Sequence, residues 1–249
     1  MKRLNIDGYI IDEMDRWLYD LLEIPYLTLT KMRAFLVDAE DDDIELWINC
    51  FGGDVWTAAS MYAELRGYAG NSMAKIVGIS ASASSFVMLG CEKVIASPMA
   101  SIMIHNAQTG AQGDYRTMQH TAEMLKQTDE TIRNAYEIKT GKSRDYLKEY
   151  MDNETWLSPQ DALSIGVVDE IELKDGETLT EPKSSMLLPV RMSNCFSPGK
   201  MHQLAERMAE KQPEQPEQPI DSGDVSRPVS EILSEQRSRF LNIRKKIYQ

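Results

Sequence analysis

Three segments of the chain carry residues that could act on an acyl carbon. In INCFGGDVWTA (48–58) an apolar run ends in Gly52-Gly53 before a helical pattern. Paired glycines let a backbone approach a ligand closely and can aim a free N–H at an anion, although many strand-to-helix turns use them for packing alone. In GISASASSFVMLG (78–90) a run of small residues separates a strand pattern from an apolar helical one. A serine at such a turn sits at a helix N-terminus, where N–H groups favour a developing oxyanion. Ser80, Ser82, Ser84 and Ser85 all qualify, and each could equally be a cap or a small packing residue. A G-x-S-x-G elbow would select Ser80, but position 82 is serine rather than the trailing glycine. In SIMIHNAQTG (101–110), His105 ends an apolar run. A serine nucleophile needs a base, and His105 is the one histidine at a strand end; His120 lies in a helical pattern and His202 near the C-terminus.

The elements that must hold these residues follow from periodicity. Helical patterns are expected at 27–38, 55–66, 115–138 and 144–151, and a buried helix at the start of 82–90. Strands are expected at 44–49, 75–79, 93–96 and 102–105. Ser158, Pro159 and Asp161 form a helix start that Gly166 closes, and VVDEIEL (167–173) returns as a strand. Strands alternating with helices imply an α/β fold with parallel pairing. Residues 1–175 read as one domain and 176–249 as an extension. The extension is expected to hold a loop, a short helix at 198–211, a Pro/Glu/Gln linker at 212–227 containing QPEQPEQP, and an amphipathic helix at 228–249.

Composition removes several function classes. A net charge of −12 argues against nucleic-acid binding by the bulk of the chain. Cys50, Cys91 and Cys195 show no CxxC spacing and the three histidines are scattered, so no disulfide framework, metal site or other cofactor is expected. The sequence has no G-x-x-x-x-G-K-[ST] loop for nucleotide hydrolysis. The first residues meet acids too early for a signal core, and no run approaches a membrane span, so a cytoplasmic protein with no membrane partner is expected.

Taken in order, INCFGG, GISASASSF, MIHNA and TGKSRDYLKEYMDNETWLSPQDALSIGVVDEI resemble the ClpP family of serine peptidases over about residues 6–172. The resemblance implies an α/β fold of the ClpP/crotonase type: a repeated β-β-α core with a protruding handle of strand plus long helix, followed by a partly disordered tail. It selects Ser82 as nucleophile, His105 as base and Glu154 as the triad acid, with Asp152 as the alternative. It implies an oxyanion hole from the N–H groups of Gly53 and Ala83. It also implies a substrate strand lying against Asp54 and Val55 on one side and Gln108 and Gly110 on the other, in a homo-oligomer of stacked rings.

Three departures bear on function. The acid position holds Glu where better-known members hold Asp. The expected first strand (GYII) begins almost at once, which puts docking to an AAA+ ATPase in doubt. The acidic, Pro-rich extension resembles the phage-type branch, the prohead or head-maturation proteases. The expectation is therefore a serine endopeptidase, ATP-independent or weakly coupled to an ATPase, that cuts capsid or scaffold polypeptides and its own tail in a bacterial host cytoplasm. The alternatives are a degradative subunit working with a host unfoldase, and a non-catalytic assembly module on the same fold.

Overall fold

The computed structural model describes residues 1–179; the elements expected at 198–211, 212–227 and 228–249 lie outside the described residues. The chain opens with strand β1 (Lys2–Ile10), a short 3-10 turn, helix α1 (Arg16–Leu21) and strand β2 (Tyr26–Leu27). Thr28 caps helix α2 (Leu29–Ala39), its hydroxyl accepting from Lys31 N–H. Strand β3 (Ile44–Gly53) runs on through the two glycines, and Asp54 caps helix α3 (Val55–Arg66). Strand β4 (Ser72–Ala81) leads into the short helix α4 (Ala83–Val87), which tightens into a 3-10 turn ending at Gly90. Strands β5 (Lys93–Ala96) and β6 (Ser101–Ile104) follow. Helix α5 (Tyr115–Thr140) starts on an Asp114 cap and ends at Gly141 in the left-handed region. Helix α6 (Arg144–Asp152), strand β7 (Thr155–Leu157), helix α7 (Pro159–Ile165) and strand β8 (Glu170–Ile171) complete the described chain. Ser158 and Asp161 form the expected capping box at the start of α7.

The sheet runs β2-β1-β3-β4-β5-β8, with β6 and β7 branching from β4. Every pairing is parallel except β6 with β7. Ile44, Leu46, Ile48 and Cys50 of β3 alternate into the core. They pack there with Met61 and Leu65 of α3, Phe86 and Val87 of α4, and Ile132 and Tyr136 of α5. On the opposite face Trp47 is sandwiched between Arg3, 3.3 Å from the ring centroid, and Lys75, at 4.6 Å.

The sheet forks on β4. Its first half pairs with β5 through Met73–Ile76, and its second half pairs with β6 through Ile79–Ala81. The C-terminal ends of β3, β4 and β6 therefore lie side by side, and ligands bind outside such strand ends in open α/β sheets.

Four elements differ from expectation. α1, β2 and β7 were not foreseen; each is too short to display a period. No strand forms between His105 and Asp114, where the handle strand was expected. That segment includes Gly110 and Gly113 and has no paired neighbour among the described residues, and a strand needs one.

Candidate active site

Sheet register brings the serine and the histidine together. Ala81 of β4 pairs with Met103 of β6. Ser82 is the next residue on one strand, and His105 lies two past Met103 on the other. The Ser82 N–H donates to Met103 O at 3.0 Å. The two side chains meet with His105 Nε2 2.7 Å from Ser82 Oγ. Ser82 itself adopts φ 55°, ψ −126°, a sparsely populated conformation for any residue but glycine. That turn throws the hydroxyl outward while α4 begins behind it. The Ser85 N–H and hydroxyl both donate to the Ser82 carbonyl, at 2.9 and 2.6 Å, and hold the turn.

The other serines of the run are structural. Ser80 and Ser84 are buried and share a hydrogen bond of 3.1 Å between their hydroxyls. Ser85 is fully buried.

The glycines are dictated by close approach. A Cβ on Gly52 would stand 2.5 Å from Ala81 O and 2.7 Å from Ala83 N. One on Gly53 would stand 1.9 Å from Ile10 O, and Gly53 has φ +146°. Asp54 is occupied on three sides: its N–H donates to Ile10 O, its carboxylate accepts from Thr57 N–H and its carbonyl accepts from Ala58 N–H. Val55 and Gln108 line a cleft of about 110 Å³ together with Ser82, Ala83 and His105. Phe51, Phe86, Ile132 and Tyr136 give that cleft an apolar wall. Gly110 lies outside it on an exposed turn.

The two candidate acids differ in their surroundings. Ile104 pairs with Thr155 across the antiparallel β6–β7 pair. The next residues outward are His105 and Glu154, the latter in a left-handed turn at φ 46° and close enough for its charge to act on the imidazole. Among the described residues its carboxylate has neither a hydrogen bond nor an ion pair, and its field raises the His105 pKa. His105 Nδ1 faces Gln108 Nε2 at 3.5 Å. Asp152 is taken: it pairs with Lys148 and accepts from Asn106 Nδ2 at 2.8 Å. Both partners pull its pKa down, Lys148 the more strongly.

Burial lowers the His105 pKa, and the charges of Glu154 and Asp129 oppose that shift. The net direction is down, which keeps the imidazole neutral and able to accept the serine proton. The buried thiols are the reverse case: desolvation pushes Cys50 up to about 11 and Cys91 up to about 12, so neither is a ready nucleophile.

A family model described as Clp protease matches residues 27–175. The chain belongs to the Clp protease family. Among curated relatives, it is 30% identical over 137 residues to the ATP-dependent Clp protease proteolytic subunit of Pleurastrum terricola, covering 53% of this chain and 70% of that one. It is 26% identical over 143 residues to the protein of the same description from Deinococcus radiodurans, covering 56% and 70%. Membership bears out the resemblance read from the four motifs and the α/β fold class it implied. No helix among the described residues is long and apolar enough to cross a membrane.

Sequence reasoning did not single out Asp129 or Tyr136, both on α5. Asp129 Oδ1 accepts from Ala107 N–H at 2.7 Å, and the Tyr136 hydroxyl lies 2.5 Å from Ser85 Oγ. The available signal was position: Asp129, Ile132 and Tyr136 share one face of a helix that is otherwise largely polar.

Proposed function

We propose that the chain is a serine endopeptidase in which Ser82 is the nucleophile, His105 the base and Glu154 the acid. The observation that carries this reading is the 2.7 Å contact between His105 Nε2 and the Ser82 hydroxyl, on a residue held at positive φ at the head of a helix.

In the first step Ser82 Oγ bonds to the peptide carbonyl carbon while His105 Nε2 takes the hydroxyl proton. The carbonyl oxygen becomes an oxyanion, stabilised by the N–H groups of Gly53 and Ala83. The neighbouring Asp54 N–H is spent on Ile10 O and does not take part. The tetrahedral intermediate collapses as the C–N bond breaks, and the imidazolium gives its proton to the leaving amine. Water then attacks the ester, His105 takes its proton and returns it to Ser82 Oγ, and the carboxylate product leaves. The Glu154 charge stabilises the imidazolium, and its carboxylate turns to accept from the Nδ1–H as that charge develops. The apolar wall of Phe51, Phe86 and Ile132 selects an apolar side chain before the scissile bond. The substrate backbone lies extended between Val55 and the Gln108–Gly110 segment.

The first half of α5 exposes Tyr115, Met118 and Met124, and further copies of this chain are its partner in stacked rings. The acidic, Pro-rich extension favours a role in phage head maturation, with capsid or scaffold polypeptides and the chain's own tail as substrates. Intact mass of the purified protein beside its Ser82→Ala variant tests this. The reading expects a truncated species in wild type only, and peptide turnover lower by roughly 10⁴ or more in the variant. Identical masses would remove self-processing; unchanged turnover would remove Ser82 as nucleophile.

The relatives' description as ATP-dependent favours a second reading, a degradative subunit that works with an unfoldase. Protein degradation that rises on adding ATP and a Clp-type unfoldase would support it over the first.

A further inference from the structure

Only the C-terminal half of α5 packs on the domain, and beside the buried Thr128 and Arg133 its docked face carries two further polar side chains, Asp129 and Tyr136. Each is hydrogen-bonded to a backbone or hydroxyl group next to one of the reacting residues. Asp129 Oδ1 accepts from the N–H of Ala107, two residues after His105 and beyond the last residue of β6. The Tyr136 hydroxyl meets Ser85 Oγ at 2.5 Å, and Ser85 Oγ–H donates to the Ser82 carbonyl at 2.6 Å. The single Ser85 hydroxyl proton is committed to that carbonyl, so Tyr136 must be the donor in its pair. Asp129 and Tyr136 are seven residues apart, two helical turns, so one face of one helix reaches both halves of the site.

Neither anchor is what packing alone would choose. Burial raises the pKa of Asp129, so its charge is retained at a desolvation cost. Tyr136 is 1% exposed, yet it places a hydroxyl where phenylalanine would fill the same volume.

We propose that Asp129 and Tyr136 are positioning residues of the peptidase reaction, which hold His105 and Ser82 from successive turns of α5 and so fix the Nε2-to-Oγ contact. The proposal rests on the reading of Ser82 and His105 as nucleophile and base. Asp129 holds the backbone that leaves His105, and Tyr136 orients the Ser85 hydroxyl that holds the strained Ser82 carbonyl. Asp129 also acts on His105 through its charge. The other charges in this neighbourhood are Glu154, facing His105 from the turn before β7, and Arg133 and Asp152, which act on Asp129.

The test uses the full-length chain and a short fluorogenic peptide with an apolar residue before the scissile bond. kcat and KM are measured against pH for wild type, Asp129→Ala, Asp129→Asn, Tyr136→Phe and Ser82→Ala, with thermal melts for each. Asp129→Ala is expected to lower kcat on the order of 10²-fold, the size of effect that misplacement by about 1 Å produces. Asp129→Asn keeps an acceptor for Ala107 N–H and recovers most of that kcat. Its acid limb moves to lower pH, because a charge that favours the imidazolium is gone. Tyr136→Phe lowers kcat with little change in KM. A merely structural role would lower the melting temperature and leave the acid limb and the kcat of folded protein unchanged.

Wild-type kcat and acid limb in Asp129→Asn and Tyr136→Phe, with Ser82→Ala inactive, would overturn the proposal while leaving the reading of the site intact. The same holds if the Asp129→Ala loss merely tracks unfolded protein while those two variants turn over normally. Turnover retained in Ser82→Ala would instead overturn the reading of the site itself.

Discussion

At the scale of single residues, with His105 as the proposed base, the balance of charge and burial on its ring sets the pH range of activity. Burial lowers its pKa, and Glu154 and Asp129 push back. The base acts when unprotonated, so a lowered pKa extends activity downward in pH. The acid limb of kcat/KM is expected below the ordinary histidine value of about 6.5. Glu154→Gln removes a charge that favours the imidazolium; it should move the limb further down and reduce kcat. Asp152→Asn should leave the limb in place, since its carboxylate is held by Lys148 and Asn106. A pH–rate profile checks both, and a limb that moves with Asp152 but not with Glu154 would transfer the acid's role. Local residues named the nucleophile only as one of four serines. The four motifs in order point to Ser82, and the register sets it apart from its neighbours: Ser82 follows the β4 residue that pairs with β6, whereas Ser80 and Ser84 turn inward to each other.

At the scale of elements, strand ends do the positioning. β3, β4 and β6 finish together, and the tight contacts at Gly52 and Gly53 let the first of them approach the serine turn. Gly53→Ala would place a methyl 1.9 Å from Ile10 O, forcing β1 or the site apart. It is expected to abolish turnover, measured alongside a lowered thermal melt. Ser158→Ala is the contrasting case. It removes the capping box of α7 and should cost about 1 kcal/mol, seen in denaturant unfolding, with the acid limb unmoved. The expected bounds 55–66 and 93–96 match α3 and β5, the helix being marked off by the Asp54 cap and Gly67 rather than by a strong apolar period. The juxtaposition of Glu154 with His105 was not legible from local pattern, because it depends on the three-residue antiparallel strand β7, which has no readable alternation of its own. The anchors on α5 were hidden for a related reason: a carboxylate in a polar helix looks solvated until the helix is docked.

At the scale of the whole molecule, α5 has two halves with different surroundings. Its C-terminal half is packed against the core, while Tyr115 is 75%, Met118 42% and Met124 43% exposed on the other. Apolar side chains at that exposure suit contact with another copy. Replacing Met118 and Met124 together by Asp should convert a ring assembly to smaller species in sedimentation velocity; an unchanged distribution would show that this surface does not assemble the chain. The proposed activity rests on one reactive hydroxyl activated by one imidazole. Fluorophosphonate labelling of the assembled full-length protein, with the adduct mapped by peptide mass, measures that directly. One adduct on Ser82 is expected, absent in Ser82→Ala and strongly slowed in His105→Ala. An adduct on another serine, or labelling of Ser82 at full rate without His105, would contradict it.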